Sequence, residues 1–584
     1  MQSPYEIRTL LRVVASVVLI ATACAPAGAP TGAPAAAAPP ARSEQPTTPV
    51  PTAPVPAAPA PSSATPTPRP SSAAAVAAPP PTLIAPQYGG VLNVATTEDP
   101  PTYDVHQESS PTVAVPFRNV YEGLVQYHYQ RQSEIVPELA ESWETSADGL
   151  TYVFRLRKDV KWHDGRPFTA EDAAFSYMRM ANPKAYKIIS PRGEPLLAAV
   201  DKAEAVDPYT LRVRLKFPSA SFMGNIATDW AMILPKQTVE SQGDMKRVVN
   251  GTGPFTWVSH DRGVKIEIKK NPNYYDKSLP MLNGLAFYII FDDATRFAAF
   301  RTGRVKMTFI GSNSLTSSQA EILVRDLAGK VTVKDHAAIA RIMFIVNNTK
   351  DPWKDVRVRR AVDLALDRQN LIKLNGNDGL IGVAMHPLGT WGISQEELRS
   401  RPGYRESKTE DIAQAKRLLA DAGYASGFKT TMLSYGVAGR LTPAVKEQLK
   451  AIGIDLQIEL LAQGPLVDRL NQKNFELIWY NVGDLLDEPD LVLNSLYISN
   501  GSRNFGNFSD KEVDTLINEQ SLTTDFAKRR QLVLRLQERL LETGSYPIAF
   551  WSVYRRAWWN EVHDYKPGPG VHVNLKLDHV WLGK

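Results

Sequence analysis

The sequence predicts an α/β fold of at least two lobes. Three observations predict it: the length, stretches whose apolar residues alternate with a period of two, and helical segments set between them without an internal repeat. At 584 residues the chain exceeds what one compact core holds. A period of two marks half-buried strands, because successive side chains point to opposite faces. Helices between such strands place the chain in the mixed class.

The amino terminus has the layout of a secretory signal over residues 1–23. Arg8 and Arg12 flank the start of a short apolar run that begins at Leu10, and Ala21, Thr22 and Ala23 precede Cys24. The run is shorter than the roughly 20 residues that span a bilayer comfortably. Cys24 is the single cysteine. The arrangement resembles a bacterial lipoprotein signal, in which the cysteine takes lipid and becomes the mature amino terminus. Ala21 departs from that pattern, which usually has Leu there. An ordinary cleaved signal or an uncleaved anchor is the alternative. The expected location is the extracytoplasmic face of the cytoplasmic membrane, and the exported domain then has no disulfide.

Residues 24–86 follow as an expected tether. Beyond Cys24 they are nearly all Pro, Ala, Ser and Thr. Such a segment buries too little apolar surface to offset the entropy of ordering. Pro-rich chain extends at about 3.1 Å per residue. A passive spacer is the plainer reading.

The folded part begins near Gln87. Leu150, Tyr152, Phe154 and Leu156 share one strand face. Leu211, Val213, Leu215 and Phe217 share another, opposite Arg212, Arg214 and Lys216. Val264, Ile266 and Ile268 alternate with Lys265, Glu267 and Lys269. Asp355 is placed to cap a helix through Val358, Ala361, Val362 and Ala365. Thr409 is expected to cap one through Ile412, Ala415, Leu418, Leu419 and Ala422, stopped by Gly423. A longer helix is expected from about Phe526 to Leu541.

Composition and motifs exclude several functions. Sixty-six basic residues face 61 acidic ones, so no basic excess points to nucleic acid. No GxSxG elbow, HExxH or P-loop occurs, and the adjacent Asp487 and Glu488 lack the separation of a glycosidase pair. The expectation is a protein without enzymatic activity or cofactor. His163, beside Asp164, has no partner nearby at metal spacing.

Ordered blocks then carry a resemblance. They are Tyr121-Glu122-Gly123-Leu124, Ile135-Val136-Pro137-Glu138-Leu139-Ala140-Glu141-Ser142-Trp143, and Val160-Lys161-Trp162-His163-Asp164-Gly165-Arg166-Pro167-Phe168-Thr169-Ala170-Glu171-Asp172. Gly251-Thr252-Gly253-Pro254-Phe255, Asn271-Pro272-Asn273-Tyr274-Tyr275 and Asp355-Val356-Arg357-Val358-Arg359-Arg360-Ala361 follow. In order and spacing they resemble the family 5 solute-binding proteins, the oligopeptide-, dipeptide- and nickel-binding group of ABC importers. Each block also reads as a fold determinant. Asp164-Gly165 suits a tight turn, and Thr169 with Asp172 a capping box.

The resemblance implies a two-lobed, periplasmic-binding-protein-like fold of type II, with a discontinuous first lobe and a hinge. The first lobe would hold residues 87–340 and 548–584, and the second 341–547. The chain would cross near Arg341-Ile342-Met343-Phe344 and return near Pro547 to Val553. Partners would be a peptide-like ligand and the permease subunits, with the protein a monomer. The resemblance matches the acid that meets a peptide's ammonium to Asp484, in Trp479-Tyr480-Asn481-Val482-Gly483-Asp484. The loop Leu485-Leu486-Asp487-Glu488 is about one residue longer than the dipeptide-binder pattern, so Asp487 or Glu488 is an alternative. Arg440 matches a loop that carries a carboxylate-binding Arg in some dipeptide binders, and Trp391 matches a loop facing the cleft. Trp479, Asn481 and Tyr435 complete the candidates, with core packing a rival for the aromatic ones. An oligosaccharide, a metal chelate or a signalling role stays open as an alternative within the same fold.

Overall fold

The computed structural model describes residues 85–131, 134–308, 315–484, 486–568 and 575–583. The signal at 1–23, Cys24 and the tether as far as residue 84 lie outside the described residues. No helix among the described residues is long and apolar enough to cross a membrane.

The protein is two-lobed, and each lobe is built on its own sheets. The first lobe holds a four-stranded sheet in the order Val91–Thr96, Gly284–Ile289, Lys265–Lys270, Phe255–Asp261. A second, antiparallel sheet runs Ala140–Thr145, Thr151–Leu156, Thr210–Leu215, Val200–Asp207. A six-stranded sheet is ordered Gly379–Leu380, Ile548–Trp559, Val331–Val346, Leu477–Gly483, Phe428–Ser434, Ile454–Leu460.

The alternating stretches form the strands they predict. In Thr210–Leu215, Leu211, Val213 and Leu215 are buried while Arg212 and Arg214 are exposed. Phe217 and Val264 fall just outside their strands and are exposed. Asp355 caps the helix Val356–Ala365, its carboxylate accepting the Arg357 N–H at 2.8 Å. Thr169 and Asp172 form the capping box of Ala170–Ala181. Thr409 differs from expectation: it is the first residue of the helix Thr409–Asp421, and the cap position is Lys408. Lys408 Nζ pairs instead with Asp411 at 2.7 Å, so the first turn is held by charge. Gly423 does end that helix with φ +91°. Gly251 is required by space, since a Cβ there would stand 1.9 Å from the Val120 carbonyl oxygen.

Three of the motif blocks meet in a buried charge network. Lys576 Nζ reaches Glu122 at 3.0 Å, Glu138 at 2.9 Å and Asp578 at 3.3 Å. Arg118 bridges Glu138 and Asp229, each at 2.8 Å. Tyr274 donates its hydroxyl to Glu122 at 2.7 Å. The four carboxylates and Arg118 are buried and the Lys576 side chain is 6% exposed, and burial pushes the Asp229 carboxyl up to about 6 against the pull of Arg118. Lys576 thereby ties the carboxyl-terminal stretch into the first lobe.

Two long strands join the lobes. Val331–Val346 and Ile548–Trp559 pair antiparallel, from Val331 opposite Trp559 to Met343 opposite Ile548. Their Val331 and Trp559 ends pack against a small core with Ala95 and Phe300. Their other ends carry Phe344, Ile345, Phe550 and Trp551 into the large core of the second lobe. The register slips between the Ala337 and Arg341 pairs.

Candidate ligand-binding site

The strands Phe428–Ser434, Ile454–Leu460 and Leu477–Gly483 run parallel, so their carboxyl ends share one edge. Ligands of open α/β sheets bind outside such an edge. Tyr435 follows the first of these strands and Asp484 the last, while Arg440 ends the short helix Gly436–Arg440.

Asp484 is buried, and its carboxylate is held by two guanidinium groups. Arg341 Nη1 pairs with Oδ2. Arg503 Nη1 pairs with Oδ1 at 2.9 Å, and its Nη2 donates to the Gly483 carbonyl at 2.8 Å. The two arginines are not equivalent. Arg341 is fully buried among Ile342, Met343 and Phe344 and lies over the Trp551 ring at 4.6 Å. Burial opposes its charge, yet Asp484 and Tyr497 outweigh burial and hold its pKa above the ordinary value. Among the described residues its Nε and Nη2 are buried without a partner in hydrogen-bond geometry. The Arg503 side chain is 33% exposed, the more accessible of the two.

The alternative acids are engaged elsewhere. Asp487 Oδ1 accepts the His386 N–H at 3.1 Å, and Gly389 lies so close that a Cβ would meet Asp487 Oδ2 at 1.7 Å. Glu488 pairs with Arg529, whose guanidinium lies over the Trp391 ring at 4.9 Å. Burial pushes the Asp487 carboxyl up to about 7, with Glu488 and Asp484 adding to the rise and the His386 N–H and Arg341 opposing it. Burial and Arg341 hold His386 down to about 4, so it is neutral near pH 7.

A raised carboxyl pKa means the folded state holds its proton more tightly than the unfolded chain, where Asp titrates near about 3.9. Its contribution to stability is full below about pH 4 and is lost as pH rises through about 7. Asp487→Asn cannot ionise. Its stability relative to wild type is expected to grow by about 2 kcal/mol between about pH 5 and pH 8. Thermal melts at both pH values check this, and a constant difference refutes it.

The remaining predicted residues divide. Tyr435 lies at the edge, its ring 6.4 Å from that of Tyr480, which in turn feels the charge of Arg503. Asn481 is exposed at the end of its strand and Arg440 is exposed on its short helix. Trp479 is fully buried, its indole N–H donating to the Ala438 carbonyl at 2.9 Å and its ring against Phe344 at 4.7 Å. Trp391 belongs to the second-lobe core under Arg529. Both indoles are held by core packing. Sequence reasoning missed Arg341 and Arg503 as the partners of Asp484. A lone Arg inside the apolar run Ile339 to Val346 was the available signal, since such a cation needs a buried partner.

The first lobe meets this region directly. Ser221 Oγ donates to Asp490 at 2.7 Å, the Ala220 N–H donates to the Ser521 carbonyl at 3.1 Å, and Leu491 packs against the core that holds Trp230. A cavity of about 140 Å³ in the first lobe is lined by residues including Tyr127, Asp229, Lys576 and His579, and by none of the six predicted ligand residues. Among the described residues no group of three His, Cys, Asp or Glu side chains is placed to hold a metal ion. His163 Nε2 lies 3.0 Å from the Gly253 carbonyl.

Comparisons with known proteins agree with this architecture. The glutathione-binding protein GsiB of Pectobacterium atrosepticum is 27% identical over 462 residues, covering 76% of this chain and 84% of that protein. Di/tripeptide-binding protein 2 of Pseudomonas aeruginosa is 27% identical over 432 residues, covering 69% and 78%. Among solved structures, the ABC transporter-associated periplasmic binding protein DppA from Helicobacter pylori, in complex with the peptide STSA, superposes with a TM-score of 0.69. It is 26% identical and covers 85% of this chain and 99% of its own. The model of bacterial extracellular solute-binding proteins, family 5, matches residues 134–504. The chain belongs to that family of extracellular solute-binding proteins.

Proposed function

We propose that the protein captures a peptide or peptide-like ligand between its lobes and delivers it to the permease subunits of an ABC importer. It carries out no chemistry of its own and works as a monomer. The observation that carries this reading is the Asp484 carboxylate at the strand edge, paired with fully buried Arg341 and part-exposed Arg503. A carboxylate has about four acceptor positions, so a ligand ammonium can join or replace the Arg503 guanidinium. The names of the relatives, which bind glutathione, di- and tripeptides and a bound peptide, support the same class. In this reading the first lobe takes residues 87–340 and 548–584 and the second 341–547.

The experiment is a thermal-shift and calorimetric panel of peptides, oligosaccharides and metal chelates, because ligand binding to the native state raises apparent stability. Peptides are expected to stabilise the protein. Asp484→Asn is expected to weaken their binding by about 1.5–3 kcal/mol, the worth of a hydrogen bond to a charged group. Stabilisation by sugars or chelates alone, or unchanged peptide affinity in the variant, sinks the reading.

The same proposal includes a lipid anchor at Cys24 on the extracytoplasmic face of the membrane, supported by the signal-like residues before it. Labelled fatty acid is expected on the wild-type protein and absent from Cys24→Ser. Label that persists in the variant rejects the site.

A further inference from the structure

A second set of contacts crosses between the lobes, on the strands that join them. Arg555 stands directly opposite Asp335 in the pairing of Ile548–Trp559 with Val331–Val346, on the first-lobe side of the register slip. Its Nε and Nη2 donate to the two oxygens of Asp335 at 2.6 and 3.0 Å. Its Nη1 donates instead to Ser317 Oγ at 3.0 Å and to Asp378 Oδ1 at 2.8 Å. Ser317 Oγ lies 2.7 Å from the same Asp378 oxygen and also reaches the Gly376 carbonyl. A hydroxyl gives one proton and accepts others, so Ser317 accepts from Arg555 and donates to the segment 376–378.

These groups belong to different lobes. Ser317 opens the helix Ser317–Asp326, whose Leu323 shares the small first-lobe core with Leu315, Ala95 and Phe300. The Leu315 N–H donates to the Arg555 carbonyl at 3.0 Å, which fixes the start of that helix to the strand. Asp378 instead precedes the short strand Gly379–Leu380, which pairs with Ser552 and Trp551 at the slip. The helix before it, Arg368–Leu374, puts Leu371 and Ile372 into the large second-lobe core. Between them Gly376 and Asn377 take φ of +77° and +62°, and this turn presents Asp378 to Ser317. The cluster is formed while Ser221 and Ala220 of the first lobe touch Asp490 and Ser521 of the second, so it belongs to the arrangement with the lobes together. Bending at the slip moves Arg555 and Ser317 against Asp378, and such hydrogen bonds are lost once stretched past about 3.5 Å.

We propose that Ser317, Asp378 and Arg555 form a latch across the hinge that holds the lobes together. Arg555 is the positioning residue. Asp335, on the same side of the slip, keeps its guanidinium in place, and Asp378 is the group that joins and leaves it. None of the contacts that make the latch involves a candidate ligand residue. Its loss therefore lowers the share of molecules with the lobes together while the surface that meets cargo stays as it is.

The test is single-molecule energy transfer in the full-length protein carrying Cys24→Ser, with dyes at Glu144→Cys in the first lobe and Lys416→Cys in the second, both exposed positions. Without cargo, Arg555→Gln, Asp378→Asn and Ser317→Ala are each expected to lower the ratio of short-distance to long-distance molecules by about three- to tenfold, the worth of part-exposed polar contacts. Arg555→Lys is expected to keep part of the ratio. Asp335→Asn leaves the crossing contacts in place and is expected to stay within about twofold of the parent. If Arg555→Gln does not fold, Asp378→Asn and Ser317→Ala carry the test from half-buried positions. Titration calorimetry with trialanine and with glutathione is expected to show both affinities lowered in equal proportion. Unchanged distances in Asp378→Asn and Ser317→Ala overturn the latch, as does an effect of Asp335→Asn as large as that of Asp378→Asn. An affinity that falls for one probe and not the other also overturns it. The distances are read without cargo, so if neither probe binds, the peptide reading fails and the distances alone decide the latch.

Discussion

Replacing Lys576 with Met is expected to cost about 3–5 kcal/mol of stability, the penalty for removing one partner from a buried ion pair. The ammonium serves Glu122, Glu138 and Asp578 together, all buried. Without it, Arg118 is the remaining cation for a group that includes Asp229 as well. The carboxylates then take up protons rather than stay ionised. The loss is therefore expected to be largest at neutral and alkaline pH and to shrink toward acid. Urea unfolding followed at two pH values measures it. A cost below about 1 kcal/mol, the range of an exposed pair, refutes the assignment. Lys576→Met combined with Glu138→Gln is expected to recover part of the loss, because it removes one of the stranded charges.

The second large effect is expected at Arg341. Arg341→Met leaves Asp484 buried with Arg503 as its single cation and removes the guanidinium from the Trp551 face. The expected cost is again about 3–5 kcal/mol, now in the second lobe. Replacing both charges, as Arg341→Met with Asp484→Leu, is expected to restore most of it, since an apolar pair of similar volume pays no desolvation penalty. Thermal unfolding of the two single variants and the double variant closes the cycle. Additive losses in the double variant refute the coupling. The same series separates structure from binding: the double variant is expected to be stable and still unable to hold an ammonium.

Much of the fold was legible because its clearest strands have one wet face. Thr151–Leu156 and Thr210–Leu215 alternate, and alternation is a local signal. The caps at Asp355 and Thr169 are local as well. Lys408 took the place of Thr409 because its ammonium found Asp411 three residues on, a choice that propensity alone does not register. The site was less legible. The family resemblance pointed to Asp484, but its partners lie 143 and 19 residues away in the chain, beyond any local pattern. Trp479 and Trp391 show the complementary limit. An indole looks the same in sequence whether it faces a ligand or a core, and exposures of 0% for Trp479 and 7% for Trp391 mark core packing. The loop at Asp487 and Glu488 is intelligible only with His386 and Arg529 in view, which come from two other segments.

The paired strands Val331–Val346 and Ile548–Trp559 have a mechanical consequence. The lobes are linked by a hydrogen-bonded ribbon whose two members run side by side. A ribbon of this kind resists stretching and sideways slip, and yields by bending normal to its own face. The register slips on both sides of Arg341, so bending is expected there, within reach of the residue that pairs with Asp484. Substitutions in that step therefore shift the balance of open and shut forms by the same factor for every cargo, whereas substitutions at the strand edge re-rank cargoes against one another.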